Sequence, residues 1–156
     1  MMRTLFSHVR LLLILMVHFP WAFAEEIEII EPFVAYYEAK KLGLSLGAMQ
    51  LVLTRLEKNH YKFEAFSETT GIASVFSRNQ IVERSFLIWQ DQHFRPVQYW
   101  FDQSGRKNRQ ISVKFDWQTK SAEQNRNGTI SKYPLENDGH DRMSYQIALM
   151  QELRQD

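Results

Sequence analysis

The stretch Arg109-Gln110-Ile111-Ser112-Val113-Lys114-Phe115-Asp116-Trp117-Gln118 alternates strictly between apolar and polar side chains. Ile111, Val113, Phe115 and Trp117 fall on one side of an extended chain, and the polar residues fall on the other. This pattern predicts a half-buried antiparallel strand. Looser versions of the same pattern predict further strands at 33–41, 47–57, 61–68, 81–90 and 97–102, and shorter ones at 120–124 and 129–133.

The connections between these segments are short and rich in turn residues, with Asn127-Gly128 as the strongest hairpin signal. Such lengths favour antiparallel pairing between strands that follow one another along the chain. One longer interruption, residues 70–78, carries Ile72, Val75 and Phe76 at helical spacing. It predicts a single helical turn that packs on the sheet.

Beyond Pro134 the pattern changes to a helical one. Asp141 is well placed as an N-cap for a helix that runs to about Leu153. The predicted fold is mainly β (α+β), a curved antiparallel meander or half-barrel with this one C-terminal helix packed on the sheet. The apolar stripe of the helix is expected to consist of Met143, Ile147 and Met150, widened by Ala148, Leu149 and Leu153.

The first 24 residues have the order of a secretory signal peptide. Arg3 and Arg10 precede an unbroken apolar run at 11–17, and the small residues of Ala22-Phe23-Ala24 precede Glu25. Cleavage is expected between Ala24 and Glu25, which leaves residues 25–156 as one periplasmic domain. The alternative is a membrane anchor, but a spanning helix needs about 20 apolar residues. The absence of cysteine from the sequence excludes a lipid attachment there, so no stable membrane anchor is expected after cleavage.

Composition excludes several classes of function. With no cysteine, stability must come from burial rather than disulfides. Loss of Arg3 and Arg10 with the leader lowers the net charge from +1 to −1. A near-neutral surface offers no footprint for nucleic acid. The basic cluster 106–109 follows Ser104-Gly105 and is interpreted as the charged tip of a hairpin.

Motifs of catalysis and metal binding are absent from the sequence. His60, His93 and His140 lie in separate predicted turns without metal-ligand spacing, and no serine sits in a nucleophile elbow. Asp116 beside Trp117 is the first carboxylate to inspect for glycoside chemistry, although a solvated strand residue is the simpler interpretation. We therefore predict no catalytic residue, no metal and no cofactor.

Several segments in order resemble domain-of-unknown-function family 3108 (DUF3108), a group of exported bacterial proteins. Residues 141–150, Asp-Arg-Met-Ser-Tyr-Gln-Ile-Ala-Leu-Met, are similar to the late motif of the family. The matching earlier segments are 32–37, 46–48, 70–76, 95–99 and 113–117. The resemblance implies a β-rich Gram-negative envelope protein without an established activity, whose layout is similar to the half-barrels that carry lipoproteins. Family members usually continue past this helix, so the chain looks C-terminally shortened, with an exposed sheet edge.

Two functions remain open at this stage, with an enzyme as a third. The first is a non-enzymatic periplasmic binding or carrier module for a lipid or another apolar or amphipathic ligand. Its expected cavity lies between helix and sheet. The alternative is a structural protein of an envelope assembly that offers its sheet edge to a protein partner. The expected ligand-binding residues are Trp100, Trp117, Met143, Ile147 and Met150.

Overall fold

The computed structural model describes residues 30–154. The predicted signal peptide, residues 1–24, and its cleavage site between Ala24 and Glu25 lie outside the described residues. Eight strands and two helices make up the described part. In chain order these elements are β1 (Phe33–Lys41), β2 (Leu44–Arg55), β3 (His60–Thr69), α1 (Gly71–Phe76), β4 (Gln80–Gln90), β5 (His93–Ser104), β6 (Arg109–Asp116), β7 (Ser121–Arg126), β8 (Thr129–Pro134) and α2 (Ser144–Glu152).

The strands form one open antiparallel sheet in the order β1 to β8. Each strand pairs with the next one along the chain, as the short connections predict, and the sheet does not close into a barrel. The Asn127-Gly128 hairpin turn is confirmed, since both residues have the positive φ of 49° and 92° that this two-residue turn requires. The predicted fold class, a mainly β meander with a C-terminal helix on the sheet, is confirmed.

Alternation gives the sheet two different faces. The helix face, against which α2 packs, carries the hydrophobic core. Phe63 is fully buried there, next to Leu53 across β2 and Ser85 across β4. Met143 and Ile147 close this core from the helix side, with exposed fractions of 1% and 0%. The opposite face, called the open face below, carries residues such as Glu64, Arg84 and Trp100 in register.

The sheet also has two different ends. At the α1 end lie the connections 42–43, 70–79, 105–108 and 127–128. At the opposite end lie 56–59, 91–92, 117–120 and the segment 135–143 that leads into α2. The sheet therefore separates two groups of loops that are free to carry different functions.

One strand irregularity has a clear cause. The register of β4 and β5 shifts between Phe86 and Leu87, because Phe86 faces Gln98 whereas Leu87 faces Pro96. Val97 is the extra residue of this bulge. Proline has no N–H for the ladder, so a bulge beside Pro96 is where the pairing is most easily interrupted.

The prediction for the first helix is correct only in part: the helix contacts β2, but its predicted apolar face is not what packs there. The helix forms as α1, but Ile72, Val75 and Phe76 are 50%, 80% and 83% exposed, and none of its residues is buried. The predicted stripe of the second helix is correct only in part. Met150 is 38% exposed, and Leu149 and Leu153 are also exposed. Ser144 and Gln151 are buried instead.

Candidate functional site

A groove of about 410 Å³ lies where α2 crosses the opposite end of the sheet. The start of β5 forms one wall, the last turn of α2 another, and the segment before α2 forms the rim. Its lining mixes aromatic, basic and acidic side chains: His93, Phe94, Arg95, Trp117, Asp138, His140, Ala148 and Glu152 are among its residues. We refer to it as the α2 groove.

Trp117 is the aromatic wall of the α2 groove, and three contacts fix its orientation. Its indole N–H donates to the carbonyl of Pro96 over 2.8 Å. Phe115 stacks against it with ring centroids 6.5 Å apart and planes inclined by 13°. The guanidinium of Arg95 lies 5.4 Å from its ring centroid, within range of a cation–π contact. A ring held in this way presents a preformed surface to a ligand.

The polar groups of the α2 groove come from turns and from the helix. His93 begins β5, His140 precedes α2, and Glu152 ends α2. Desolvation lowers the pKa of the His140 imidazole, against the opposing effect of Asp141 and Asp138. His140 is therefore neutral near pH 7 and is able to accept as well as donate a hydrogen bond.

A buried hydrogen-bond network beside the groove holds α2 on the sheet. The carboxylate of Asp141 accepts from the Ser85 hydroxyl at 2.7 Å and from the backbone N–H groups of Met143 at 2.7 Å and Ser144 at 2.8 Å. In return the N–H of Asp141 donates to the Ser144 hydroxyl at 2.8 Å. Asp141 thus caps the helix as predicted, and it also ties the helix to β4.

A second polar pair lies next to this network. The Tyr99 hydroxyl donates to Glu83 over 2.6 Å, and Arg142 approaches the same carboxylate at 3.5 Å. Glu83 is 8% exposed, so these two contacts compensate much of the cost of burying its charge. Burial, and then the Glu83 carboxylate, raise the pKa of the Tyr99 phenol above its ordinary value near 10.

This network has the geometry of a structural support. Ser85 and Ser144 are both 0% exposed, so neither hydroxyl meets a substrate from solution. The nearest imidazole, His140, lies 3.3 Å from the Ser144 hydroxyl, while Asp141 bonds to serine and backbone groups. A nucleophile needs access as well as an adjacent base. The role of the network is to position the helix that forms the groove.

The carboxylate of Asp116 stabilises the turn that follows β6. It accepts from the N–H groups of Thr119 at 2.9 Å and Gln118 at 3.0 Å, and hydrogen bonds from Thr119 and then Gln118 lower its pKa. The interpretation of Asp116 as a solvated carboxylate at the end of a strand is confirmed.

The five predicted ligand-binding residues lie in different environments. Met143 and Ile147 belong to the packed core. Met150 lies on the outer side of α2, and Trp100 is on the open face, edge-on to Phe86 with centroids 5.2 Å apart. Only Trp117 lines the α2 groove.

Trp100 lines a shallower groove of about 540 Å³ on the open face. Arg84, Asp102 and the amide side chains of Gln110 and Asn125 surround it. This surface is the more open of the two. It lacks the second wall that α2 supplies to the other groove.

Several residues of the α2 groove were missed by sequence reasoning. His93, Asp138 and Glu152 come from a strand start, a loop and a helix end, where alternation carries no information about neighbours. The one sequence feature that pointed to the groove was the position of His93 and His140, each in a turn next to a predicted strand or helix.

Within residues 30–154, no group of three or more His, Cys, Asp or Glu side chains is arranged to hold a metal ion. In the same range, no helix has the length and apolar character needed to cross a membrane.

The fold and the groove define a class of protein, a single open β-sheet domain closed on one face by a C-terminal helix. A family model described as a protein of unknown function (DUF3108) matches residues 33–154. The chain belongs to this family, as the resemblance of its motifs predicted. No curated protein and no solved structure shows significant similarity to it.

Proposed function

We propose that this protein is a non-enzymatic binding or carrier module of the periplasm, and that the α2 groove holds a small amphipathic ligand. The observation that carries the proposal is the groove itself, in which an oriented aromatic wall faces ionisable groups. Its volume of about 410 Å³ lies within the range of about 300–1,000 Å³ that is usual for ligand pockets.

The residues that line the α2 groove indicate where the apolar and the polar parts of a ligand would bind. The rings of Trp117 and Phe94 and the methyl of Ala148 suit an apolar or aromatic portion. Arg95, whose guanidinium also approaches the Asp91 carboxylate at 3.5 Å, and His93 lie on the β5 side of the same groove and suit a single anionic or hydrogen-bond-accepting group. Asp138 at the rim and Glu152 on the α2 wall disfavour a ligand with several negative charges. An amphipath with one acidic group satisfies all three conditions.

The leader-like first 24 residues support the periplasmic part of the proposal. An exported module with a ligand groove and without recognisable catalytic motifs suits the capture or transfer of a small molecule. Intact mass of the protein recovered from the periplasm tests this part separately. A chain that begins at Glu25 supports it, and a chain that keeps residues 1–24 in the membrane fraction contradicts it.

The binding test uses anilinonaphthalene sulfonate, which combines an aromatic body with a single acidic group. We expect saturable one-site binding that Trp117→Ala weakens by about tenfold or more, because a buried aromatic contact contributes about 1.5–3 kcal/mol. Trp100→Ala is the matched control on the open face and should change the dissociation constant less than about twofold.

A second variant separates loss of the groove from loss of the fold. Ala148→Phe adds a ring at the groove wall and removes no buried contact, so it should block the probe while leaving the unfolding transition in place. Absence of saturable binding, or equal weakening by Trp117→Ala and Trp100→Ala, would refute the proposed site.

A second candidate function rests on the open sheet. The strand β1 pairs with β2 on one side and has no strand on its other side among residues 30–154. A nine-residue edge is long enough to accept a partner strand. Photo-crosslinking in intact cells from Tyr36 on β1, with Ile130 on β8 as the control, separates the two candidates. One recurring protein adduct from β1 alone favours an assembly role, whereas only lipid adducts favour the binding module.

A further inference from the structure

The α1 end of the sheet is predominantly basic. The segments that form it, 40–44, 70–79, 105–109 and 126–129, contain no aspartate or glutamate. Two acidic side chains lie at the strand ends next to these segments: Glu38 pairs with Lys40 at 2.8 Å, and Glu68 lines a hollow with Arg78 and Gly105. The exposed basic residues of this end are Lys40, Lys41, Arg78, Arg106, Lys107 and Arg126.

The same end exposes large apolar side chains. Leu42 at the tip of the β1–β2 turn is 94% exposed, and Val75 and Phe76 of α1 are 80% and 83% exposed. Leu44 and Ile72 add to them with 53% and 50%. An apolar group of this kind, set among basic residues, is unusual for a surface that meets only water.

The β1–β2 turn and α1 are fastened to each other. The hydroxyls of Ser45 and Thr70 lie 2.7 Å apart, and the N–H of Thr70 donates to the carbonyl of Leu46 over 3.1 Å. Gly71 approaches the backbone of Ser45 so closely that a Cβ there would lie 2.5 Å from its carbonyl oxygen. The apolar residues of both segments therefore belong to one surface.

The basic β5–β6 turn joins the same surface. The N–H of Arg106 donates to the side-chain oxygen of Asn79 over 3.1 Å. Gly105 lies directly against the carbonyl of Arg78. Arg78, Arg106 and Lys107 are thus held beside α1 by a shared backbone framework.

We propose that the α1 end is a docking surface for a membrane leaflet that contains anionic lipids. The apolar residues Leu42, Val75 and Phe76 enter the interface, and the surrounding lysines and arginines contact the lipid phosphates. A soluble polyanion or a purely acidic protein surface would account for the basic residues but not for the exposed Phe76 ring and the branched side chains between them. The surface lies at the end of the sheet away from the α2 groove, so the two proposals are independent.

Vesicle co-sedimentation tests this proposal. The protein is recovered from expressing cells, and intact mass confirms that all variants share one N-terminus. We expect binding to phosphatidylethanolamine vesicles that contain phosphatidylglycerol, release by high salt, and little binding to phosphatidylcholine. Val75→Ser with Phe76→Ser should weaken binding by about tenfold. Arg106→Glu with Lys107→Glu should weaken it at least as much.

The charge control is Lys58→Glu with Lys120→Glu, which reverses two exposed lysines in turns at the opposite end of the sheet. It changes the net charge equally and should alter vesicle binding less than about twofold. The proposal is overturned if the protein ignores anionic vesicles, binds neutral ones equally well, or responds alike to both charge pairs. Tight binding of soluble polyphosphate that is insensitive to the Val75 and Phe76 substitutions also overturns it.

Discussion

Replacement of Asp141 by alanine should destabilise the protein strongly, because its carboxylate serves two roles at once. It caps α2 through the N–H groups of Met143 and Ser144, and it accepts the hydroxyl of Ser85 from β4. The side chain is buried, so water does not replace the lost bonds easily. Each role therefore contributes to the cost.

The size of the effect follows from those bonds. Loss of an N-cap costs about 0.5–2 kcal/mol. The Ser85 hydroxyl, which is 0% exposed, loses its acceptor, and an unsatisfied buried polar group costs about 1–3 kcal/mol. We expect the free energy of unfolding to fall by about 2–4 kcal/mol. Asp141→Asn should cost less than half of this, since an amide still accepts from the helix and can donate to Ser85.

Urea unfolding measures these changes, and two further variants make the test specific. Asp138→Ala removes an exposed carboxylate from the same loop and should change the free energy by less than about 0.5 kcal/mol. A double-mutant cycle with Ser85→Ala should show a coupling of about 1 kcal/mol between β4 and the helix start. An Asp141→Ala variant as stable as Asp138→Ala, or a coupling near zero, would show that this bond does not hold the helix.

Four other substitutions test the core, the electrostatics and the turns by the same unfolding measurement. Tyr99→Phe should cost about 1.5–3 kcal/mol below pH 9. Folding raises the pKa of this phenol, so its stabilising contribution is lost as pH rises above 10. The difference in free energy of unfolding between wild type and variant should therefore become smaller there. A difference that stays constant with pH would contradict the raised pKa. Phe63→Ala should cost about 3–5 kcal/mol, whereas Phe76→Ala should stay within about 0.5 kcal/mol, and equal costs would contradict the assigned core. Gly105→Ala should cost about 1–3 kcal/mol, since φ is +119° and a Cβ there meets the β3–β4 connection; an unchanged urea midpoint would count against this geometry.

The central strands were predictable because alternate residues are buried on one face of the sheet, as in β3 and β5. Alternation locates β1 at 33–41, the same residues that the structure assigns to it. Spacing alone did not reveal the surroundings of α1. Helical periodicity shows which side chains lie on the same face of a helix, but not whether that face packs against another part of the protein. The ties between Thr70 and β2 hold the helix at the end of the sheet, where Val75 and Phe76 meet solvent.

Which side of α2 faces the sheet could not be predicted from hydropathy, for a different reason. The bond between Ser85 and Asp141 joins residues 56 positions apart and turns Ser144 and Gln151 toward the sheet. Both inward residues are polar, so an apolar stripe drawn through Met150 misses them. The α2 groove depends on the same rotation. The residues that line the groove could therefore not be predicted from the sequence without knowledge of the bond between Ser85 and Asp141.

The order of the strands has a consequence for how the chain folds. Strands that follow one another along the chain are paired throughout, so each pairing closes only a short loop and the sheet can grow hairpin by hairpin. The helix α2 comes last and bonds back to β4. Until α2 docks, Phe63 and Leu53 lie on a sheet without their cover. The partly folded chain therefore exposes core side chains until this last docking step, and it is most prone to aggregate before the helix is in place.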